Sequence, residues 1–203
     1  MAYYIRVLGI RDPDLHLDEL INSLQVNGLT ANLAYASGES PNKWTLLEVA
    51  NEEGKPITQI ERNPVIEGEL GKEEIEELKI EIEDSRPTSA AKWLTKYLDK
   101  VRVIYAFQLL NTAFDDTNFE IITCIKRKVW NRTGGILQAD NEGFSNEDGY
   151  HILWQFPDDV TGDWNCAVRN FLGRWQKFTM DLGNITQREE FQNGKVPMTS
   201  IRL

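Results

Sequence analysis

The sequence predicts an α+β protein made of two related units, residues 1–99 and 100–203. Runs with the two-residue alternation of strands interleave with runs that have the helical period of about 3.6 residues. The same order, β-α-β-β-β with helical material last, occurs in both halves. In each half the first predicted helix ends at a glycine, Gly28 or Gly134, immediately before the next strand. We therefore expect two units with antiparallel sheets and with helices packed on one face.

The first half begins with a strand. Residues 3–10, YYIRVLGI, alternate and are rich in β-branched and aromatic residues, as strands are. Residues 13–28 place leucines at helical spacing after a capping aspartate, and Gly28 ends that helix. Pro87 separates two further helical patterns, because its ring interrupts a helix. The remaining predicted elements are strands over 29–36, 43–50 and 56–62 and helices over 72–84 and 88–99.

The second half repeats this order. Residues 101–110 read as a strand, and residues 115–135 read as a helix with an apolar stripe, two aspartates at its start and Gly134 at its end. Two strands and a turn cluster follow the helix, and a hairpin closes the half. These predicted elements are strands over 136–140, 150–156 and 164–170, a returning strand within 171–182 and a short helix over 185–193.

Length and composition favour a globular protein. The chain has 203 residues, of which 41% are hydrophobic and 10% aromatic, enough for a packed core. No apolar run approaches the roughly 18 residues of a membrane span, and the N-terminus lacks the pattern of a signal peptide. Cys124 and Cys166 form no CxxC motif, which favours two reduced, buried thiols over a disulfide. We therefore expect a cytoplasmic protein that does not associate with a membrane.

The formal net charge is −10, and it is unevenly distributed. Residues 1–99 carry 19 acids and 10 bases, whereas residues 100–203 carry 13 acids and 12 bases. Nine acids and two bases fall within residues 67–84. An acidic surface repels phosphate, so the charge argues against general nucleic-acid binding. It is compatible with a basic protein partner, and equally with a role in solubility alone.

A set of polar side chains is predicted to share the open face of the second sheet. Alternation points every second residue, starting from Val103 in 101–110 and from Tyr150 in 150–156, toward the helices. The intervening residues, Ile104 and His151 among them, are predicted to lie on the opposite, open face. Glutamines with a histidine, an aspartate and an arginine suit a polar ligand, although water alone also accounts for a polar face. The candidate ligand-binding residues are Gln108, Gln138, Asp140, His151, Gln155 and Arg169.

Residues 141–149 are predicted to be a long loop between two strands, pinned to the core by Phe144. The acids do not match an EF-hand, since Ser145 stands where glycine is required. Two histidines without a cysteine pair do not favour zinc. Ser145, His151 and Asp140 can be combined into a triad, but no nucleophile elbow is present. The sequence therefore predicts no metal, cofactor or catalytic residue, and the loop is interpreted as a binding loop.

The predicted helix 72–84 has a narrow apolar stripe and an acid-dense opposite face. Acids near the end of a helix oppose its dipole, so a cationic partner would relieve that cost. A face covered only by solvent is the alternative interpretation. The candidate partner-binding residues are Glu73, Glu76, Glu77, Glu81 and Phe144.

Two functional hypotheses follow. The first is a non-enzymatic binding or regulatory protein, of the inhibitor or immunity type, that captures a basic protein partner with the acidic helix and the 141–149 loop. The alternative is a small-molecule sensor or enzyme with a polar pocket around His151 and Asp140. The first is preferred because no catalytic or nucleotide-binding motif is present. The sequence makes no prediction of oligomeric state.

Overall fold

The computed structural model describes residues 3–203. Strands and helices are mixed, and no helix in this range is long and apolar enough to cross a membrane. The strands are β1 (Tyr3–Gly9), β2 (Asn32–Tyr35), β3 (Leu46–Ala50), β4 (Pro56–Pro64), β5 (Val103–Leu109), β6 (Ile136–Ala139), β7 (Gly143–Ser145), β8 (His151–Trp154), β9 (Asp163–Arg169), β10 (Trp175–Asp181) and β11 (Ile201–Arg202). The helices are α1 (Leu17–Val26), α2 (Leu70–Glu81), α3 (Thr88–Leu98), α4 (Asp116–Thr133) and α5 (Ile185–Gln192), with a 3-10 turn at Asn111–Phe114.

The chain forms two compact units. Unit 1 consists of the chain up to residue 72 together with residues 101–135, and unit 2 consists of residues 73–100 and 136–203. Each unit therefore combines segments from both predicted halves. The division between residues 99 and 100 follows the repeated sequence pattern, and the internal duplication behind that pattern stays a prediction.

Unit 1 contains strands in the order β1-β5-β4-β3-β2, and all neighbours are antiparallel. The central strand β5 places Tyr105 opposite Val7 of β1 and opposite Arg62 of β4. Ile104 and Tyr105 point to opposite faces, yet neither is exposed. The expectation that the Ile104 side of this strand is open is therefore wrong. A nearly continuous apolar sequence is typical of a strand that is covered on both faces.

The helices of unit 1 are α1 and α4, which pack against each other, and α4 also contacts β1, β4 and β5. Glu19 of α1 forms ion pairs with Lys128 at 3.1 Å and with Arg132 at 3.2 Å, so two bases of α4 share a carboxylate partner inside this unit. Gly28 follows α1 and Gly134 follows α4, with φ of 71° and 65°. Both glycines therefore end their helices in the left-handed conformation that the sequence predicts.

Unit 2 contains strands in the order β6-β7-β8-β9-β10-β11. All neighbours are antiparallel except β8 and β9, which are parallel where His151 lies opposite Cys166. Strands β9 and β10 form the predicted C-terminal hairpin, with Arg169 opposite Trp175 and Asp163 opposite Asp181. The short β11 pairs with β10 and was not predicted, because two residues are too few to show alternation.

The core of unit 2 is an aromatic and aliphatic cluster. Helix α3 contacts β8 and β9, and α5 contacts β10. Since α5 supplies a ring to this cluster, its packing helps to cover the sheet residues beneath it. The buried members are Phe156, Cys166, Val168, Phe178, Met180, Leu182 and Phe191.

Residues 141–149 do not form one long loop, which corrects the sequence prediction. Strand β7 lies within them and pairs with both β6 and β8. Asn146 then closes a turn, because its Oδ1 accepts two following backbone N–H groups at 3.1 and 3.0 Å. Gly143 has φ of 114°, and a Cβ there would lie 2.1 Å from the carbonyl oxygen of Leu153. A three-residue strand that begins with an obligatory glycine carries no recognisable alternation.

Candidate functional site

Residues 73–84 of unit 2 present a carboxylate surface to solvent. Ile75, Leu78 and Ile82 follow helical spacing and are buried, so they fix which side of the segment faces inward. The opposite side carries only acids and one isoleucine. We define the acidic face as the exposed carboxylates Glu73, Glu76, Glu77, Glu81, Glu83 and Asp84.

Lys79 is the single base among residues 73–84, and it is engaged within the protein. Its Nζ lies 2.7 Å from Oδ1 of Asp99 and 3.0 Å from Oε1 of Glu76. The hydrogen bond to Asp99 is the largest cause that raises the pKa of Lys79, with Glu76 contributing in the same direction. This ammonium is therefore shared between Asp99 and Glu76 and does not compensate the rest of the acidic face.

The remaining carboxylates of the acidic face have few internal partners. Glu81 accepts a hydrogen bond from Nε2 of Gln155 at 2.7 Å, which ties the end of α2 to the segment after β8. Within residues 3–203, the other carboxylates of the acidic face form no hydrogen bond or ion pair. That unpartnered group consists of Glu73, Glu77, Glu83 and Asp84.

Ile80 is a large apolar side chain in the middle of the acidic face, and 74% of its surface is exposed. Glu76 and Glu77 precede it by four and three residues, and Glu83 and Asp84 follow it by the same spacings. The chain continues in a turn beyond α2, with the N–H of Glu83 donating to the carbonyl of Ile80 at 3.3 Å. Side chains at these spacings are neighbours on a helical surface. The exposed Ile80 therefore has Glu76 and Glu77 beside it on α2, and Glu83 and Asp84 follow in the turn beyond the helix.

Electrostatics make this arrangement costly for the isolated chain. Carboxylates three or four residues apart repel one another, and the last turn of a helix carries partial negative charge. Glu81, Glu83 and Asp84 lie at that end of α2. A cationic surface placed against the acidic face would remove both costs, whereas water and salt only screen them.

Phe144 does not belong to this surface. Its side chain is 0% exposed on β7, where it lies opposite Gln138 of β6 and Leu153 of β8. The predicted role as a core anchor therefore fits its position, whereas a contact with a partner does not. The difference arises because β7 pairs with β6 and β8, which the sequence pattern does not reveal.

The six candidate ligand-binding residues occupy different surroundings. Gln108 lies on β5 of unit 1, and the other five lie in unit 2. Gln138 is buried on β6, and Gln155 is bonded to Glu81. Arg169 lines a cleft whose walls contain none of the other five. These side chains are therefore not collected around that cleft.

His151 is a neutral core residue. Its side chain is 2% exposed, and its ring centroid lies 4.7 Å from that of Phe156 and 6.1 Å from that of Phe191. Its Nε2 has no hydrogen-bond partner among the described residues, so Asp140 does not pair with that atom. Burial lowers the pKa of His151 to about 3. The expectation that this side of β8 is open is wrong, because aromatic rings cover it.

Among residues 3–203, the cysteines and the potential metal ligands provide no further candidate site. Cys124 and Cys166 are both buried and unpaired, as the sequence predicts. Burial also raises the pKa of the Cys166 thiol, which disfavours its reactive thiolate form. Within residues 3–203, no group of three or more histidine, cysteine, aspartate or glutamate side chains is placed to hold a metal ion.

Comparison with known proteins adds no family to these observations. No protein-family model matches the chain, and neither a curated protein nor a solved structure shows significant similarity to it. The function is therefore argued from the acidic face itself.

Proposed function

We propose that this is a non-enzymatic binding or regulatory protein that captures a basic protein partner on the acidic face, in the manner of an inhibitor or immunity protein. The observation that carries the proposal is the exposed Ile80 within a segment whose exposed acids include Glu76, Glu77, Glu83 and Asp84. A cytoplasmic location is part of the same proposal.

The partner's chemistry follows from this geometry. Protein interfaces combine an apolar anchor, which becomes fully desolvated, with a polar rim. Ile80 is the anchor, and the surrounding carboxylates are the rim. The partner would therefore present a small apolar pocket bordered by lysine or arginine side chains. Rim charges of this kind mainly accelerate association and select against other acidic proteins.

Photo-crosslinking tests the proposal at the position that matters. Ile80 is replaced by p-benzoylphenylalanine in cells that express the protein natively, and adducts are identified after irradiation. We expect one dominant adduct with a basic protein. The matched control carries the same crosslinker at Val26, which is also highly exposed but lies on α1 of unit 1. Equal adduct patterns at both positions, or adducts with acidic proteins only, would overturn the proposal.

The alternative, a sensor or enzyme built around His151 and Asp140, has less support. His151 is enclosed by aromatic rings, and its pKa is far below the range of an acid–base catalyst at neutral pH. Arg169 lines a cleft whose walls contain none of the other candidate residues.

A further inference from the structure

A cleft of about 270 Å³ in unit 2 lies where α3 begins and where α5 ends. Among the described residues, no carboxylate lines it. This is notable in a chain of net charge −10. Its polar lining is made of hydrogen-bond donors and amides: Arg86, Thr88, Ser89, Arg169, Gln192 and Asn193.

Arg86 supplies an uncommitted positive charge to the cleft. Its backbone is fixed, because its carbonyl accepts the N–H of Trp154 at 2.9 Å. Its side chain is exposed, and within residues 3–203 the guanidinium makes no hydrogen bond or ion pair. The backbone thus positions Arg86 at the cleft while all five guanidinium N–H groups stay available.

Arg169 supplies a second charge in a fixed orientation. Its guanidinium carbon lies 5.9 Å from the ring centroid of Trp93 and 5.5 Å from that of Trp175. Its Nε and Nη2 donate to the carbonyl of Gly173 at 3.2 and 2.7 Å. One carbonyl satisfies only part of the guanidinium, so Nη1 remains for a ligand. Cation–π contacts with two indole rings hold the guanidinium in place and reduce the entropy that a ligand would otherwise have to remove.

The start of α3 adds hydrogen-bond donors to the cleft lining. Pro87 stands at the N-cap, and no side chain caps this helix. The N–H groups of Ala90 and Ala91 bond to the carbonyl of Pro87. Thr88 and Ser89 have no such backbone acceptor within residues 3–203, and both also carry hydroxyl groups. These donors supplement the two guanidinium groups, which are the main anion-binding groups of the cleft.

We propose that this cleft binds the phosphate group of a small phosphate-bearing ligand. Guanidinium groups match phosphate oxygens in a two-point geometry, and hydroxyl and amide donors complete the coordination of a tetrahedral anion. The volume is below the range of about 300–1,000 Å³ for drug-sized ligands. It therefore suits a phosphate with a small organic body. The cleft shares no residue with the acidic face, so this proposal is independent of the protein partner.

The test is an NMR titration of the full-length protein with inorganic phosphate and with glycerol 3-phosphate at constant ionic strength. We expect saturable shifts of the Arg86 and Arg169 guanidinium signals and of the Thr88 and Ser89 amides. Arg86→Gln should weaken binding about tenfold or more, as loss of a charged hydrogen-bond donor does. Tighter binding of glycerol 3-phosphate than of inorganic phosphate would place the organic body in the cleft.

A matched control and a second variant of the cleft lining test the specificity of the result. Arg174→Gln removes the same charge from an exposed arginine outside the cleft lining and should leave binding unchanged. Ser89→Ala is a second, milder variant of the cleft lining. It is used in place of an Arg169 variant because Arg169 also packs against two tryptophans. Equal weakening by Arg174→Gln, absence of saturable shifts, or equal binding of acetate and phosphate would each overturn the proposal.

Discussion

The ammonium of Lys79 lies 2.7 Å from the carboxylate of Asp99, so the only base within residues 73–84 is turned toward the residue that follows α3. The same ammonium reaches Glu76 at 3.0 Å. Internal charge compensation in this segment is therefore concentrated on Asp99 and Glu76, and Glu77, Glu83 and Asp84 keep their charge for an external partner.

Removal of the ammonium should have only a small effect on stability. Lys79→Met breaks both ion pairs, but the carboxylates of Glu76 and Asp99 are substantially exposed. We expect the free energy of unfolding to fall by about 0.5–1 kcal/mol at low salt. The difference should shrink at about 1 M salt, because salt screens exposed pairs. Urea unfolding at both salt concentrations measures it, and a loss that does not depend on salt would contradict the ion-pair explanation.

Two neighbouring isoleucines should respond very differently to truncation. Ile80 is 74% exposed and Ile82 is 0% exposed. Ile82→Ala removes core packing and should lower the free energy of unfolding by about 2–5 kcal/mol. Ile80→Ala should change it by less than about 0.5 kcal/mol, as surface substitutions do. Chemical denaturation of both variants is the measurement. A comparable loss at both positions would show that Ile80 is a packing residue.

Burial of His151 should make stability depend on pH. The pKa of the folded state, about 3, is below the ordinary value of 6.5. The unfolded chain therefore takes up the proton first, and stability falls as the pH drops below 6.5 toward the folded pKa. We expect a loss of about 2 kcal/mol between about pH 7 and about pH 5.

The control for this effect is His151→Phe, which keeps a ring in the aromatic cluster and removes the titrating group. Urea unfolding across the same pH range should show a smaller loss for the variant than for the wild type. If both proteins lose the same stability between these pH values, other groups are responsible and His151 is not.

Gly143 should be irreplaceable in a way that Gly162 is not. Both have positive φ, 114° and 104°, but only at Gly143 would a Cβ meet the backbone, 2.1 Å from the oxygen of Leu153. Gly162→Ala should cost about 1–2 kcal/mol from the backbone conformation alone. Gly143→Ala should cost about 3 kcal/mol or more, since β7 must also move away from β8. Similar thermal unfolding of both variants would contradict the close approach of these strands.

Most elements could be predicted because their patterns are long. The helix ends at Gly28 and Gly134 and the break at Pro87 are local chemistry, so they are readable from one sequence. Strand β7 could not be predicted because its pairing depends on β6 and β8 and on the close packing of Gly143. Because Phe144 lies on this strand, it is buried and not part of the surface.

The candidate site was predictable only in part. The acid-dense face of residues 73–84 follows from the helical period, whereas the exposure of Ile80 was not predicted. Burial of His151 was not visible, because alternation gives the two sides of a strand but not what packs on each side. For β8 the covering groups include Phe156 and Phe191, which lie beyond the strand.

The most direct test of the acidic face is quantitative capture of a partner from native lysate at low and at high salt. Wild type is compared with Glu77→Lys, Glu83→Lys, Asp84→Lys combined, and with a control that reverses Asp158, Asp159 and Asp163 and so has the same net charge. We predict a stoichiometric basic partner that is bound by wild type and by the control, released at high salt and absent from the acidic-face variant. Equal capture by both triple variants, with the fold intact, would contradict the account.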